Sequence, residues 1–187
     1  TFITTDHPNA GPFTRYPRII KWLMSAEARK ERIESFKHGA KMVDATYIAG
    51  MDRELSLYEL AQMTRAGPAK ALGLANIYGG LAPGMDADVA VYNFNPERSY
   101  KPDEIEKAFS AAAFVMKAGT PVVIDGEIVS NGNKRTLWVD AKTSENPQVM
   151  RDIRDKFLKY YSVNMNNYDV AGHFLTNPRV IEVDAAR

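Results

Sequence analysis

A chain of 187 residues with 45% hydrophobic content is long enough to bury a core, and 24 Lys plus Arg against 23 Asp plus Glu leave no global charge for nucleic acid or an anionic membrane surface. No apolar run approaches the roughly 18 to 20 residues that span a bilayer, and the start lacks the basic-then-apolar order of a signal peptide. The absence of Cys excludes disulfides, Cys-ligated zinc and iron–sulfur ligation on this chain and fits a cytoplasmic protein, while three histidines, His7, His38 and His173, are too few for a His-rich metal site.

Residues 1 to 5, apolar and β-branched, read as a short buried strand, and Asp6-His7-Pro8-Asn9 ends it because Pro8 disfavours helix at the residue before it. Pro17 suits a first helical turn, after which Ile19, Ile20, Leu23 and Met24 recur at helical spacing. The charged stretch from Glu27 to Lys41 reads as helical and largely solvated. Ser56-Leu57-Tyr58-Glu59 has the form of a capping box, opening a helix with Leu57, Leu60 and Ala61 on one face. A second short helix follows from Pro68 to about Gly73.

The character then changes. "GGLAPGMDADVAVYNFNPE" predicts a strand around Val89 and Val91 between Gly/Pro turns. "AAAFVMKAGTPVVIDGEIVSNG" predicts two more strands around Gly119-Thr120-Pro121 and a tight Asp125-Gly126 hairpin turn, making a small antiparallel β unit. From Pro147 to Tyr161, Val149, Met150, Ile153, Phe157, Tyr160 and Tyr161 recur at spacings of three and four. That is an amphipathic helix, whose aromatic residues are expected to dock on another surface of this domain or of a partner. The last residues, through "FLTNPRVIEV", read as an extended arm.

Asp6 is the foremost candidate for chemistry, since a carboxylate at the C-terminal end of a buried strand stands where barrel enzymes place catalytic groups. Turn statistics alone favour an Asx-turn, in which the same carboxylate binds its own loop backbone. His7 and Asn9 are candidates to hold a substrate or orient a metal ligand, against the alternative of satisfying loop backbone. Arg15, Arg18 and Lys21 flank the loop and suit an anionic substrate group, although a solvated helix face explains them as well. His38 and His173 have no partner ligands at metal spacing, and Gly79-Gly80 with Gly84 lacks the spacing of a phosphate-binding fingerprint.

Three stretches together, "MTRAGPAKALGL", "LAPGMDADVAVYNFNP" and "VVIDGEIV", resemble the closing portion of the amidohydrolase superfamily, with the Gly84 to Asp88 turn as the most suggestive element. Gly67 departs from the Asn that many members carry before the Pro. Within the superfamily, "TTDHPNAGPFTRYPRIIKWLM" and "DRELSLYELAQMTRAGPAKALGL" resemble the family of A-type subunits of formylmethanofuran dehydrogenase, over essentially all of this chain but only the closing, C-terminal part of such a polypeptide.

The resemblance implies an α/β fold: the last strand and helix of a metal-dependent (β/α)8 barrel over 1–78, part of a small β-sandwich over 79–140, and a C-terminal helix and extended arm over 141–187. It implies that Asp6 contacts a metal and serves as general acid/base in condensing formate with the primary amine of methanofuran to N-formylmethanofuran, reversibly, in the carbon dioxide reduction of methanogenesis. His7, Asn9 and Arg15 are then the expected substrate-binding residues. Two divalent metal ions, zinc by expectation, would be held mainly by a His-x-His, a carboxylated Lys and further His residues upstream of this sequence. Tungsten- or molybdenum-pterin and iron–sulfur clusters would sit on partner subunits, one of which would deliver formate through an internal channel.

A (β/α)8 barrel takes about 250 residues, so the rest of it is expected upstream or on another chain; a fragment, a split gene and a truncation would give the same sequence. Two other enzyme readings stay open, a component of a formyltransferase/hydrolase complex and a hydantoinase-like cyclic amidase. So does a non-catalytic scaffold that offers only an interaction surface.

Overall fold

The computed structural model describes residues 1–36, 40–132, 135–142, 146–161, 167 and 172–184. Its first unit, Thr1–Gly132, is built around α1 (Tyr16–Met24), which follows a 3-10 turn at Phe13–Arg15. Pro17 lies in the first turn of α1, where a missing N–H costs nothing. Leu23, Leu55 and Leu60 form the buried centre, with Ile3, Ile19, Ile20, Met24, Met51, Leu57 and Met63 packed around it. Ala61, expected on the same face, is exposed.

Helix α2 (Ala26–Glu34) opens at buried Ser25, whose Oγ accepts from Ala28 N–H at 3.1 Å, while Glu54 accepts from Ala26 N–H at 2.9 Å. Two of the free donors at the helix start are thus satisfied. A short α3 (Ala40–Asp44) follows; His38 lies outside the described residues. The expectation of a largely solvated charged segment fails at Arg29, which is 3% exposed. Its guanidinium donates to the carbonyls of Trp22 at 2.6 Å, Leu23 at 3.4 Å, Met51 at 3.1 Å and Arg53 at 2.8 Å. Two of these belong to the last turn of α1, whose carbonyls have no helical donor, so Arg29 caps one helix from the next and ties both to the 51–53 segment.

The predicted capping box is present at the start of α4 (Leu57–Ala61): Ser56 Oγ accepts from Glu59 N–H at 3.3 Å, and Glu59 accepts from Ser56 N–H at 2.9 Å. The Arg53 guanidinium, bonded to Glu59 at 2.7 Å, and then the Ser56 N–H hold the Glu59 carboxyl down at about 2. A carboxyl with a depressed folded pKa stabilises above its unfolded value near 4.3 and loses that stabilisation as pH falls toward 2. The stability difference between the protein and Glu59→Gln, read from urea midpoints, is therefore expected to shrink between about pH 6 and pH 2. A difference independent of pH would sink this account.

The two short helices expected over 57–73 are one run: α4 passes through a π turn at Gln62–Ala66 into α5 (Gly67–Ala71). Pro68 cannot donate to the carbonyl of Thr64, and Arg65 Nη1 takes that place at 3.2 Å. Gly67 suits this slip of register, because a Cβ there would stand 2.8 Å from Gln62 O and 3.4 Å from Thr1 O. Gly79 is a second close approach: its φ is +86°, and a Cβ would meet Ala69 Cβ at 2.7 Å and Arg65 O at 2.9 Å. The Gly79-Gly80 pair thus seats its turn on the helix.

Beyond it, β1 (Val89–Val91), β2 (Phe114–Lys117), β3 (Thr120–Ile124) and β4 (Glu127–Ile128) make an antiparallel sheet in that order, the predicted β unit. Both hairpin turns have positive φ at two residues, Ala118 at 47° with Gly119 at 79°, and Asp125 at 51° with Gly126 at 82°. That geometry matches the twist of the strands it joins. Asp88, the last residue of the Gly84–Asp88 motif, accepts from Ala118 N–H at 2.8 Å and pairs with Lys117. It braces the turn that Ala118 would otherwise strain.

Helix α6 (Pro102–Ser110), not among the predicted elements, lies in the connection from β1 to β2 and packs on α1. Pro102 in its first turn and Asp103 and Glu104 behind it are the start signal that was available. Arg18 bonds Glu106 at 3.4 Å, and Lys21 bonds Asp103 at 3.2 Å and also pairs with Glu106. Partial burial opposes the Lys21 charge, yet the hydrogen bonds and charges of Glu106 and Asp103 carry its pKa upward. The Lys21 hydrogen bond lowers that of Glu106.

Residues 1–5 do not form the buried strand expected of them. No other strand lies alongside them among the described residues; one backbone bond, from Ile3 N–H to Met63 O at 3.1 Å, fixes the segment. Without a ladder partner an extended run remains irregular. In the second unit, Asn133–Arg187, β5 (Leu137–Lys142) leads through α7 (Pro147–Tyr160) to β6 (Arg179–Asp184). Strands β5 and β6 pair in parallel, so the expected arm is a strand; a parallel pair needs such a crossover. Asn146 caps α7 by accepting from Gln148 N–H at 2.9 Å. Among the described residues no helix is long and apolar enough to cross a membrane.

Candidate functional site

The candidate site is the loop that joins Asp6 to α1. Asp6 closes it with its backbone: its carbonyl accepts from Ala10 N–H at 3.0 Å and Gly11 N–H at 3.3 Å. The carboxylate makes no hydrogen bond with a described residue, so the Asx-turn that local statistics favour is not formed and the acid group is left for other chemistry. Exposure at Asp6, His7 and Asn9 means that this chain alone puts no low-dielectric wall around them.

Among the described residues, His7 is the side chain that holds the loop. Its Nδ1 accepts from Phe13 N–H at 3.3 Å, and its ring meets Phe13 edge-on with centroids 4.8 Å apart. Arg15, in the 3-10 turn, is exposed and without an ion pair among the described residues. Arg18 and Lys21, grouped with it as a possible anion site, are instead committed to the acidic residues of α6. Asp6, His7 and Asn9 thus lie on one exposed loop with Arg15 in the turn that follows it, while Arg18 and Lys21 leave the group.

Among the described residues no three of His, Asp and Glu gather as a metal site. Asp6 supplies one carboxylate oxygen donor, enough for one ligand position and not for a centre of two ions. His173 lies in a 3-10 turn at Gly172–Phe174, its ring 4.1 Å from that of Phe174, with no ligand group around it among the described residues.

The Amidohydrolase family profile matches residues 1–130 of this chain. This chain belongs to the amidohydrolase family. Protein FwdA of Methanocaldococcus jannaschii is 44% identical over 185 residues, 98% of this chain and 32% of that protein. The A component of the formyltransferase/hydrolase complex Fhc of Methylorubrum extorquens is 40% identical over 159 residues, 84% of this chain and 27% of that one. The crystal structure of the formyltransferase/hydrolase complex FhcABCD from the same organism, in complex with methylofuran, matches with a TM-score of 0.73 and 32% identity, covering 99% of this chain and 32% of that one. The amidohydrolase chain thus spans about a third of the length of these relatives. The match to FwdA takes in nearly all of the sequence, so both the Asp6 loop and the sheet lie inside it.

Proposed function

We propose that this chain is the closing part of an A-type component of formylmethanofuran dehydrogenase, which condenses formate with the primary amine of methanofuran and also runs the reverse reaction. The observation that supports it most is the likeness to FwdA over 98% of the chain, together with an Asp6 carboxylate that no described residue occupies. In this reading residues 1–6 become the last barrel strand once the upstream barrel pairs with them, and the β1–β4 sheet is the end of the small β-sandwich.

Asp6 is the proton carrier. It accepts a proton from the methanofuran ammonium, which frees the nitrogen lone pair to form the C–N bond at the formate carbon. It passes that proton, and then the second one lost by nitrogen, to the departing formate oxygen, which leaves as water. Formate plus ammonium thus gives formamide plus water, with charge and atoms balanced. His7, Asn9 and Arg15 hold the substrate beside it, and exclusion of bulk water opposes the hydrolytic reverse. The longer protein would hold two zinc-like ions through upstream ligands with Asp6 in contact; when bound they polarise the formate carboxylate. A tungsten- or molybdenum-pterin subunit with iron–sulfur clusters would supply formate.

Incubating the intact assembly that contains this chain with 13C-formate and methanofuran is expected to give a formamide 13C resonance. Hydantoin opening in its place would instead favour the cyclic amidase. An assembly that does neither, with its metal retained, would leave the chain a scaffold and overturn the proposal.

A further inference from the structure

We infer that His7 is a positioning residue for Asp6, acting through the acceptor face of its imidazole; this rests on the role of Asp6 proposed above. Every backbone bond that shapes the loop between Asp6 and α1 is local: Asp6 O takes two N–H groups and Pro12 O takes that of Arg15 at 2.9 Å. Pro8 and Pro12 contribute no donor. What links the two halves is the bond from Phe13 N–H to His7 Nδ1, six residues apart, with the imidazole seated against the Phe13 ring. His7 therefore fastens the residue next to Asp6 onto the turn that enters α1. That helix is itself anchored by Arg29 and by the ion pairs to α6. The backbone that carries Asp6 is thereby tied to an anchored helix through the His7 side chain.

An imidazole that accepts at Nδ1 carries its proton on Nε2. The two ring nitrogens thus have separate duties, Nδ1 holding the loop and Nε2–H left as a donor, and two substitutions separate them. Asn places an amide oxygen where Nδ1 stands, and Gln reaches toward the Nε2 position. In the intact assembly His7→Asn, which keeps the acceptor and loses the Nε2–H that faces substrate, is expected to raise KM while its kcat stays at least about tenfold above that of His7→Gln, whose loss falls on kcat, the signature of a displaced reacting group. In the 187-residue chain, with three histidines to label, the neutral His7 ring is expected to show the Nε2–H tautomer in its 15N spectrum. Hydrogen-exchange protection at the Phe13 amide should persist in His7→Asn and vanish in His7→Gln.

A proton on Nδ1, or equal losses of kcat in Asn and Gln, would overturn the inference. So would full activity in His7→Gln while Asp6→Asn is inactive. Should Asp6→Asn stay active with the loop signature unchanged, the failure belongs to the proposed reaction, and the positioning role fails with it for want of a target.

Discussion

Arg29→Met is expected to cost about 2 to 4 kcal/mol of stability, seen as a large fall in the urea midpoint of the chain. The methionine keeps most of the aliphatic stem, so the loss isolates the guanidinium. Three part-buried carbonyls that receive its N–H groups, at Trp22, Met51 and Arg53, would lose that donor, whereas Leu23 keeps the Leu55 N–H at 2.9 Å. An unsatisfied buried acceptor costs about 1 to 3 kcal/mol, and the three do not add fully because the 51–53 segment relaxes. Replacing a buried charge by an apolar group is often harmless when its partner is removed too, but here the partners are main chain and stay. Arg29→Lys should recover only part of the loss, since an ammonium lacks the planar fork that reaches both Trp22 and Arg53. A Met variant within about 1 kcal/mol of the original would show that water replaces the guanidinium freely.

Asp6→Asn is expected to lower formamide formation by the intact assembly by about 10² to 10⁴-fold. The amide is nearly isosteric and leaves the backbone carbonyl that closes the loop, so the turn to Ala10 and Gly11 should survive. What disappears is the capacity to take and return a proton. Paired measurements decide between chemistry and folding: activity should fall while the urea midpoint stays put. Activity within about threefold of the original would remove Asp6 from the mechanism.

Features set by neighbours in sequence were readable before the structure. The Ser56–Glu59 box, Pro17 at the start of α1 and the Asp125-Gly126 turn each depend on a handful of adjacent residues, and each is present. Features set by distant partners were not. Nothing near Arg29 in sequence reveals the Met51 and Arg53 carbonyls that make its burial tolerable, so a charged stretch read as solvated. The 1–5 segment has strand composition, but composition supplies no neighbouring strand; conversely, the final residues looked like a free arm because their partner β5 lies some forty residues earlier. At the candidate site, the place of Asp6 after a strand-like run marks it for chemistry while turn statistics favour an Asx-turn, and the acid/base role comes from the family resemblance. The acidic residues that occupy Arg18 and Lys21 were visible after Pro102, yet their pairing across more than eighty residues was not.

That last pairing also sets an order of assembly. Helix α1 is made before its ion-pair partners, which sit on α6 between the first two strands of the sheet. A ribosome adding about 5 to 20 residues per second reaches those partners only several seconds later, and closing so long a loop is slow by topology. The nascent helix therefore waits with Lys21 unpaired until the sheet region emerges. The Asp6 loop, though translated before the sheet, is among the last parts of this unit to acquire its final support.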